Sequence, residues 1–174
     1  MPMQLFTRAG VVRLGAAAAL GAVPPDPDLA WVRLLVATEL LLDDFYTRAI
    51  TAGFSGPLHE ARANERAHYK GLAALLTGAG QSPAQAGDID FSYPRGTFSG
   101  AASIRKTGAT LETLQLGAYL GAADAASSEP LRGIAARIGA NEAQHLTMFE
   151  PFRSSFPSAL SVEQASNGLG TYTG

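Results

Sequence analysis

From Asp26 onward, side chains alternate between apolar and polar at a helical period, not the two-residue period of a strand. Trp31, Leu35, Thr38, Leu42, Phe45 and Ala49 fall three or four apart, which reads as one face of an amphipathic helix. Asp26 stands where an N-cap is favoured. Pro27 takes the first helical position, where its missing N–H costs nothing, and Gly53 closes the segment. A second helix opens at "SGP" (55–57) and runs to about Thr77, where "GAG" stops it. Only a few residues join the two, so they pack antiparallel.

Residues 78–98 form a long connection rich in Gly, Pro and Asp, within which Ile89, Phe91 and Tyr93 alternate like a short extended piece. A bundle uses such a crossover when its second hairpin starts at the same end as the first. A third helix is predicted over about 100–126 and a fourth over about 129–150. Ser128 is the fourth helix's N-cap, Pro130 sits near its start and Pro151 marks its end. In the tail, Ser161 and Gln164 form a capping box for one short helix. The prediction is an all-α, antiparallel four-helix bundle over 26–153, with one long crossover between helices two and three, and a tail over 154–174.

Two of the three histidines lie in nearly the same phrase, "ANERAHY" at 63–69 and "ANEAQHL" at 140–146. Each phrase places a glutamate three residues before a histidine, Glu65 before His68 and Glu142 before His145. Residues at i and i+3 share a helical face, so each pair points a carboxylate and an imidazole the same way. Helix one adds Glu39 and helix three adds Glu112. Both are flanked by leucines or other apolar residues, where a charge is costly unless it is paired or bound to metal. Tyr46 follows Glu39 by seven residues and Tyr119 follows Glu112 by seven, two turns along the same face. The chain thus reads as two related hairpins, each supplying Glu, Tyr and Glu-x-x-His. One Glu from each of two helices and Glu-x-x-His from the other two is the donor pattern of dinuclear iron or manganese carboxylate sites in bundles.

Composition narrows the chemistry. The 174 residues suffice for one domain with a sizeable core, and 47% hydrophobic with 16% charged residues is a globular balance. A net charge of −2 with no basic cluster argues against a nucleic-acid partner. With no cysteine, disulfides, thiolate metal sites and thiol catalysis are all excluded. Residues 1–25 form a separate segment. Basic residues precede an apolar run, Leu14 to Val23, about half the length a membrane span needs. "TRAGVVRLG" is similar to a twin-arginine leader with Ala9 in place of the second arginine. The expectation is export to the periplasm or cell envelope. An amphipathic N-terminal helix, with a cytoplasmic location, is the alternative.

From about Leu29 to Met148 the chain resembles the ferritin-like superfamily, and within it the often exported "ferritin-like domain" proteins that include the desiccation-related group. "LLDDFY", "ANERAH", "LGAYLGAA" and "NEAQH" carry the resemblance. It implies a bacterioferritin-type dinuclear site in which Glu65 and Glu142 bridge two metals, Glu39 and His68 complete one, and Glu112 and His145 the other. Leu42 departs from the pattern, since relatives often carry a second acidic residue there.

Four carboxylates and two imidazoles suit iron or manganese. The leading expectation is a di-iron protein that oxidises Fe(II) with dioxygen or peroxide, in iron and oxidative-stress handling. A manganese catalase-like enzyme with two manganese ions, an oxygenase acting on an organic substrate, and a non-catalytic bundle stabilised by metal are the alternatives. Tyr46 and Tyr119 either hydrogen-bond the terminal glutamates or take part in electron transfer. Asp43 is read as a second acceptor for a histidine or as a solvated carboxylate, Asp44 and His59 as surface groups. Gly117 and Gly121 mark a close helix approach. No membrane span is expected, and a homodimer or small homo-oligomer is expected in place of a storage shell.

Overall fold

Helical spacing and Gly/Pro punctuation translate into five helices. The computed structural model describes residues 26–174; the leader-like segment lies outside the described residues. The helices are α1 (Asp26–Thr51), α2 (Leu58–Gly78), α3 (Ala101–Ala125), α4 (Glu129–Phe149) and the short α5 (Val162–Gly170). Gly53 turns the chain after α1 with φ of 89°, a left-handed conformation that glycine adopts without strain. Ser128 caps α4 by accepting from the N–H of Leu131. At α5 the capping box is complete. Ser161 Oγ accepts from Gln164 N at 3.1 Å, and Gln164 Oε1 accepts from Ser161 N at 2.8 Å.

Helices α1 and α2 form one antiparallel hairpin and α3 and α4 a second, around a core that includes Leu35, Leu41, Phe45, Leu72, Leu76 and Leu111. The crossover settles how the hairpins are joined. At its start, Gln81 accepts from Arg33 near the beginning of α1 at 3.1 Å. At its far end, Tyr93 donates to Asp44 at 2.9 Å, and Arg48 donates to the carbonyl of Phe91 at 3.3 Å. The connection therefore climbs the length of α1, and α3 starts where α1 ends. This corrects the sequence expectation that the second hairpin starts at the first one's starting end. Helix α2 already finishes there, so a short loop would have sufficed. At the other end, the buried Asp28 accepts from the N–H groups of Ser127 and Ser128, both at 2.7 Å, and ties the start of α1 to the start of α4.

The tail packs along α1 and α3. Leu160 N donates to Gly117 O at 2.9 Å, and the alternating piece around Phe91 pairs with Thr173 in an isolated antiparallel bridge. Gly117 and Gly121 do serve a close approach, of this tail at both positions and also of Trp31 on α1 at Gly121. A Cβ on Gly117 would lie 2.9 Å from the Leu160 side chain, and one on Gly121 would fall on the Leu160 carbonyl oxygen and 2.8 Å from Trp31. Gly121→Ala is therefore expected to cost ~2–3 kcal/mol by overpacking and to release the tail. Gly133→Ala, whose Cβ meets nothing nearer than 3.7 Å, should instead stabilise by up to ~1 kcal/mol. Urea unfolding and limited proteolysis after residue 153 check both; a neutral Gly121→Ala would contradict the packing. Among the described residues no helix is long and apolar enough to cross a membrane.

Candidate metal centre

Each bundle helix contributes its acidic or imidazole side chains to one level of the core. Glu39 comes from α1, Glu65 and His68 from α2, Glu112 from α3, Glu142 and His145 from α4. The i, i+3 spacing turns each Glu–His pair inward together. All four glutamates are 0% exposed, and His68 and His145 are 7% and 4% exposed. What little of the cluster reaches solvent belongs to the histidines, on the α2/α4 side.

The six residues fall into two overlapping sets of four. Glu39, Glu65, His68 and Glu142 form one; Glu65, Glu112, Glu142 and His145 form the other. Within each set the donor atoms lie within 4.8 Å of one another. Glu65 and Glu142 belong to both, and their oxygens divide accordingly. Glu142 Oε1 is 2.9 Å from His68 Nδ1, while its Oε2 is 2.9 Å from His145 Nδ1. Glu65 Oε1 is 2.8 Å from His145 Nδ1, while its Oε2 is 3.8 Å from His68 Nδ1. Each shared carboxylate thus presents one oxygen to each imidazole.

The tyrosines hold the terminal glutamates, but crosswise. Tyr46 donates to Glu112 and Tyr119 donates to Glu39. The sequence had placed each tyrosine on its own glutamate's face. Seven residues rise about 10 Å along a helix, which puts the hydroxyl out of reach of that glutamate. Moving forward from Glu39 to Tyr46 on α1, the partner moves back from Tyr119 to Glu112 on α3. Only antiparallel helices pair this way, in agreement with the path of the crossover.

Gln115, fully buried and three residues after Glu112, carries no role in the sequence reading. Its Nε2 donates to Glu39 Oε1 at 3.1 Å and to Glu65 Oε2 at 3.0 Å. The signal was available: a polar residue between Leu114 and Leu116, on the same face as Glu112. Asn64, part of the repeated phrase, lies with Nδ2 3.2 Å from His145 Nε2. Asp43 pairs with Arg62 at 2.8 Å and Arg66 at 3.0 Å and with neither cluster histidine. Asp44 is half-buried, held by Tyr93 and by Arg48 at 2.8 Å, and so is not the free surface group expected. His59 is exposed.

Electrostatics follow from the burial. Burial, reinforced by the charge of Glu65, pushes the Glu39 carboxyl well above the usual range. Burial also raises Glu112, against the opposing charge of His145. For Glu65, burial acts upward, but the contacts with His145 and His68 outweigh it and hold the carboxyl low. Burial would lower both imidazoles, yet the facing carboxylates raise them, chiefly Glu142 in each case. Burial and the adjacent carboxylates raise Tyr46 and Tyr119. In effect the carboxylates and the imidazoles offset part of one another's cost of burial.

The donor chemistry passes a direct test. Glu112 Oε2 is buried with no hydrogen-bond partner, as is Gln115 Oε1 beside the cluster, while Glu39 Oε2, Glu65 Oε1 and Glu142 Oε1 have an imidazole Nδ1 opposite them at 3.5, 2.8 and 2.9 Å. Buried carboxylate oxygens so sparsely partnered are costly unless something binds them. The cluster is compatible with a dinuclear metal site. Residues 28–153 match the family model described as "Ferritin-like domain". No curated protein matches the chain.

Proposed function

The chain belongs to the ferritin-like domain family, and from that premise we propose that it is a dinuclear metal protein, iron in the first instance, which oxidises Fe(II) with dioxygen or peroxide. The observation that carries this reading is the sharing of Glu65 and Glu142 between two buried sets of four donors. Glu39 and His68 would complete one position, and Glu112 and His145 the other, a bacterioferritin-type arrangement. Four carboxylates balance two divalent cations, which offsets the cost of burying them. Oxygen and imidazole donors suit iron and manganese, with no special claim for copper.

When bound, a pair of Fe(II) ions supplies two electrons, enough to take dioxygen to hydrogen peroxide or hydrogen peroxide to two waters. The chain's own residues prepare the site. Tyr119 and Tyr46 each fix one oxygen of Glu39 and Glu112, leaving the other oxygen free. The apolar core around the cluster limits water, and the slight exposure of the histidines marks the α2/α4 side as the approach for small reactants. Tyr119→Phe is expected to lower metal affinity about 10–100-fold, the range for residues that support a ligand. Unchanged helical circular dichroism would show that the fold persists; unchanged affinity would remove the tyrosine from the site.

A metal-stabilised structural bundle is the second reading, favoured by the near-complete burial of the donors. One experiment separates the two. Protein reconstituted without oxygen, with Fe(II) and Mn(II) both supplied, is assayed for bound metal, then for oxygen or peroxide consumption with and without excess Fe(II). Two irons per chain with turnover support the proposal. Two irons without turnover leave the structural reading, and two manganese in place of iron, with peroxide disproportionation, would favour a catalase-like enzyme. If neither metal is held above trace, the proposal fails.

A further inference from the structure

The two halves of the cluster align residue for residue, Glu39, Leu42, Tyr46 against Glu112, Gln115, Tyr119. They differ at the middle position, where both side chains are buried. We propose that Gln115 makes the two metal positions unequal, so that the position at Glu112 and His145 fills first. This rests on the dinuclear reading above.

Both hydrogen bonds from Gln115 fall on the Glu39/His68 side. Glu39 Oε1 already accepts from Tyr119, so with Gln115 it carries two donors. Glu65 Oε2, the shared oxygen nearer His68, accepts from the same amide, while Glu65 Oε1 faces His145 Nδ1 at 2.8 Å, the nitrogen that would ligate beside it. The bond to Glu39, like that of Tyr119, leaves Glu39 Oε2 for a cation, but the bond to Glu65 Oε2 occupies the shared oxygen that a cation at this position would itself need. On the opposite side Leu42 has nothing to donate, and Glu112 carries Tyr46 alone.

A second contact acts in the same direction. The Nδ1 atoms of both histidines face the carboxylates, so an imidazole ligating through Nδ1 carries its proton on Nε2. The Asn64 amide lies 3.2 Å from His145 Nε2, and a half-turn of that amide offers its oxygen as the acceptor. Such a bond orients the ring and strengthens its other nitrogen as a donor. Among the described residues His68 has no corresponding bond.

Repulsion between two cations separates the binding steps in any such site, so the test must assign positions. The probe is Co(II), titrated anaerobically and followed by its visible absorption and by calorimetry. Glu39→Gln is expected to keep the first step's affinity and lose the second. Glu112→Gln is expected to lose the first step, leaving binding about 10-fold or more weaker. Gln115→Leu should tighten the second step by about 10-fold or more, since a hydrogen bond to a charged oxygen no longer competes with the cation there, and leave the first unchanged. Leu42→Gln should weaken the first step by a similar factor, and it carries the test alone if Gln115→Leu does not fold.

The inference is overturned if Glu39→Gln, and not Glu112→Gln, abolishes the first step, or if neither middle-position variant changes the steps. It is also overturned if Gln115→Leu weakens the second step, since the amide would then be a ligand itself. If the wild-type chain binds neither Co(II) nor Fe(II), the dinuclear reading falls and this inference with it.

Discussion

Glu142→Gln is expected to empty both metal positions at once. One of its oxygens faces His68 and the other His145, so no ion can lose this donor without the other losing it too. Affinity for both ions should fall by more than about 100-fold, beyond the range for residues that only support a ligand. Oxygen consumption driven by Fe(II) should fall with it. The chelated protein should lose stability as well, because both imidazoles that Glu142 faces at 2.9 Å lose their shared carboxylate partner. Metal titration and calorimetry of both forms test this. A variant that keeps one tight ion contradicts the sharing of Glu142.

Metal loading is expected to produce the largest thermal effect. An ion at a free concentration about a thousand times its dissociation constant stabilises by ~4 kcal/mol. In a chain of this length each kcal/mol raises the melting temperature by about 2–4 °C. Two ions therefore predict a rise of about 15–30 °C between chelated and fully loaded protein. The physical source is local: four buried carboxylates and two imidazoles that have little but one another to meet acquire a cation between them. Differential scanning calorimetry with chelator, then with anaerobic Fe(II), measures the difference. A change below about 3 °C would mean that the cluster holds no cation of consequence.

Much of this was legible in the chain itself. Helix positions were readable because apolar spacing, Ser128, Pro130 and the Ser161–Gln164 box are local signals. The cluster was readable because each Glu–His pair lies within one turn, and the repetition of the phrase pointed to a paired site. What failed was the geometry between helices. The length of the 78–98 connection gives reach and not direction, so it did not say at which end α3 begins. The tyrosines were read as partners of the terminal glutamates, but which one each bonds depends on the register of α1 against α3. Gly117 and Gly121 signalled a close approach without saying that residue 160 of the tail would make it. Gln115 went unassigned because an amide in a helix is unremarkable until its opposite number, Leu42, is set beside it.

The division of the donors has a consequence for how such a site can change. Neither hairpin alone encloses an ion, since each set of four takes residues from both. Two identical hairpins related by a true dyad would also enclose two ions, but any substitution would then appear on both sides of the axis. A glutamine at one middle position and a leucine at the other is open only to a protein whose halves are encoded separately along one chain. Covalent continuity, bought here with a crossover running the length of α1, is what allows the two positions to diverge.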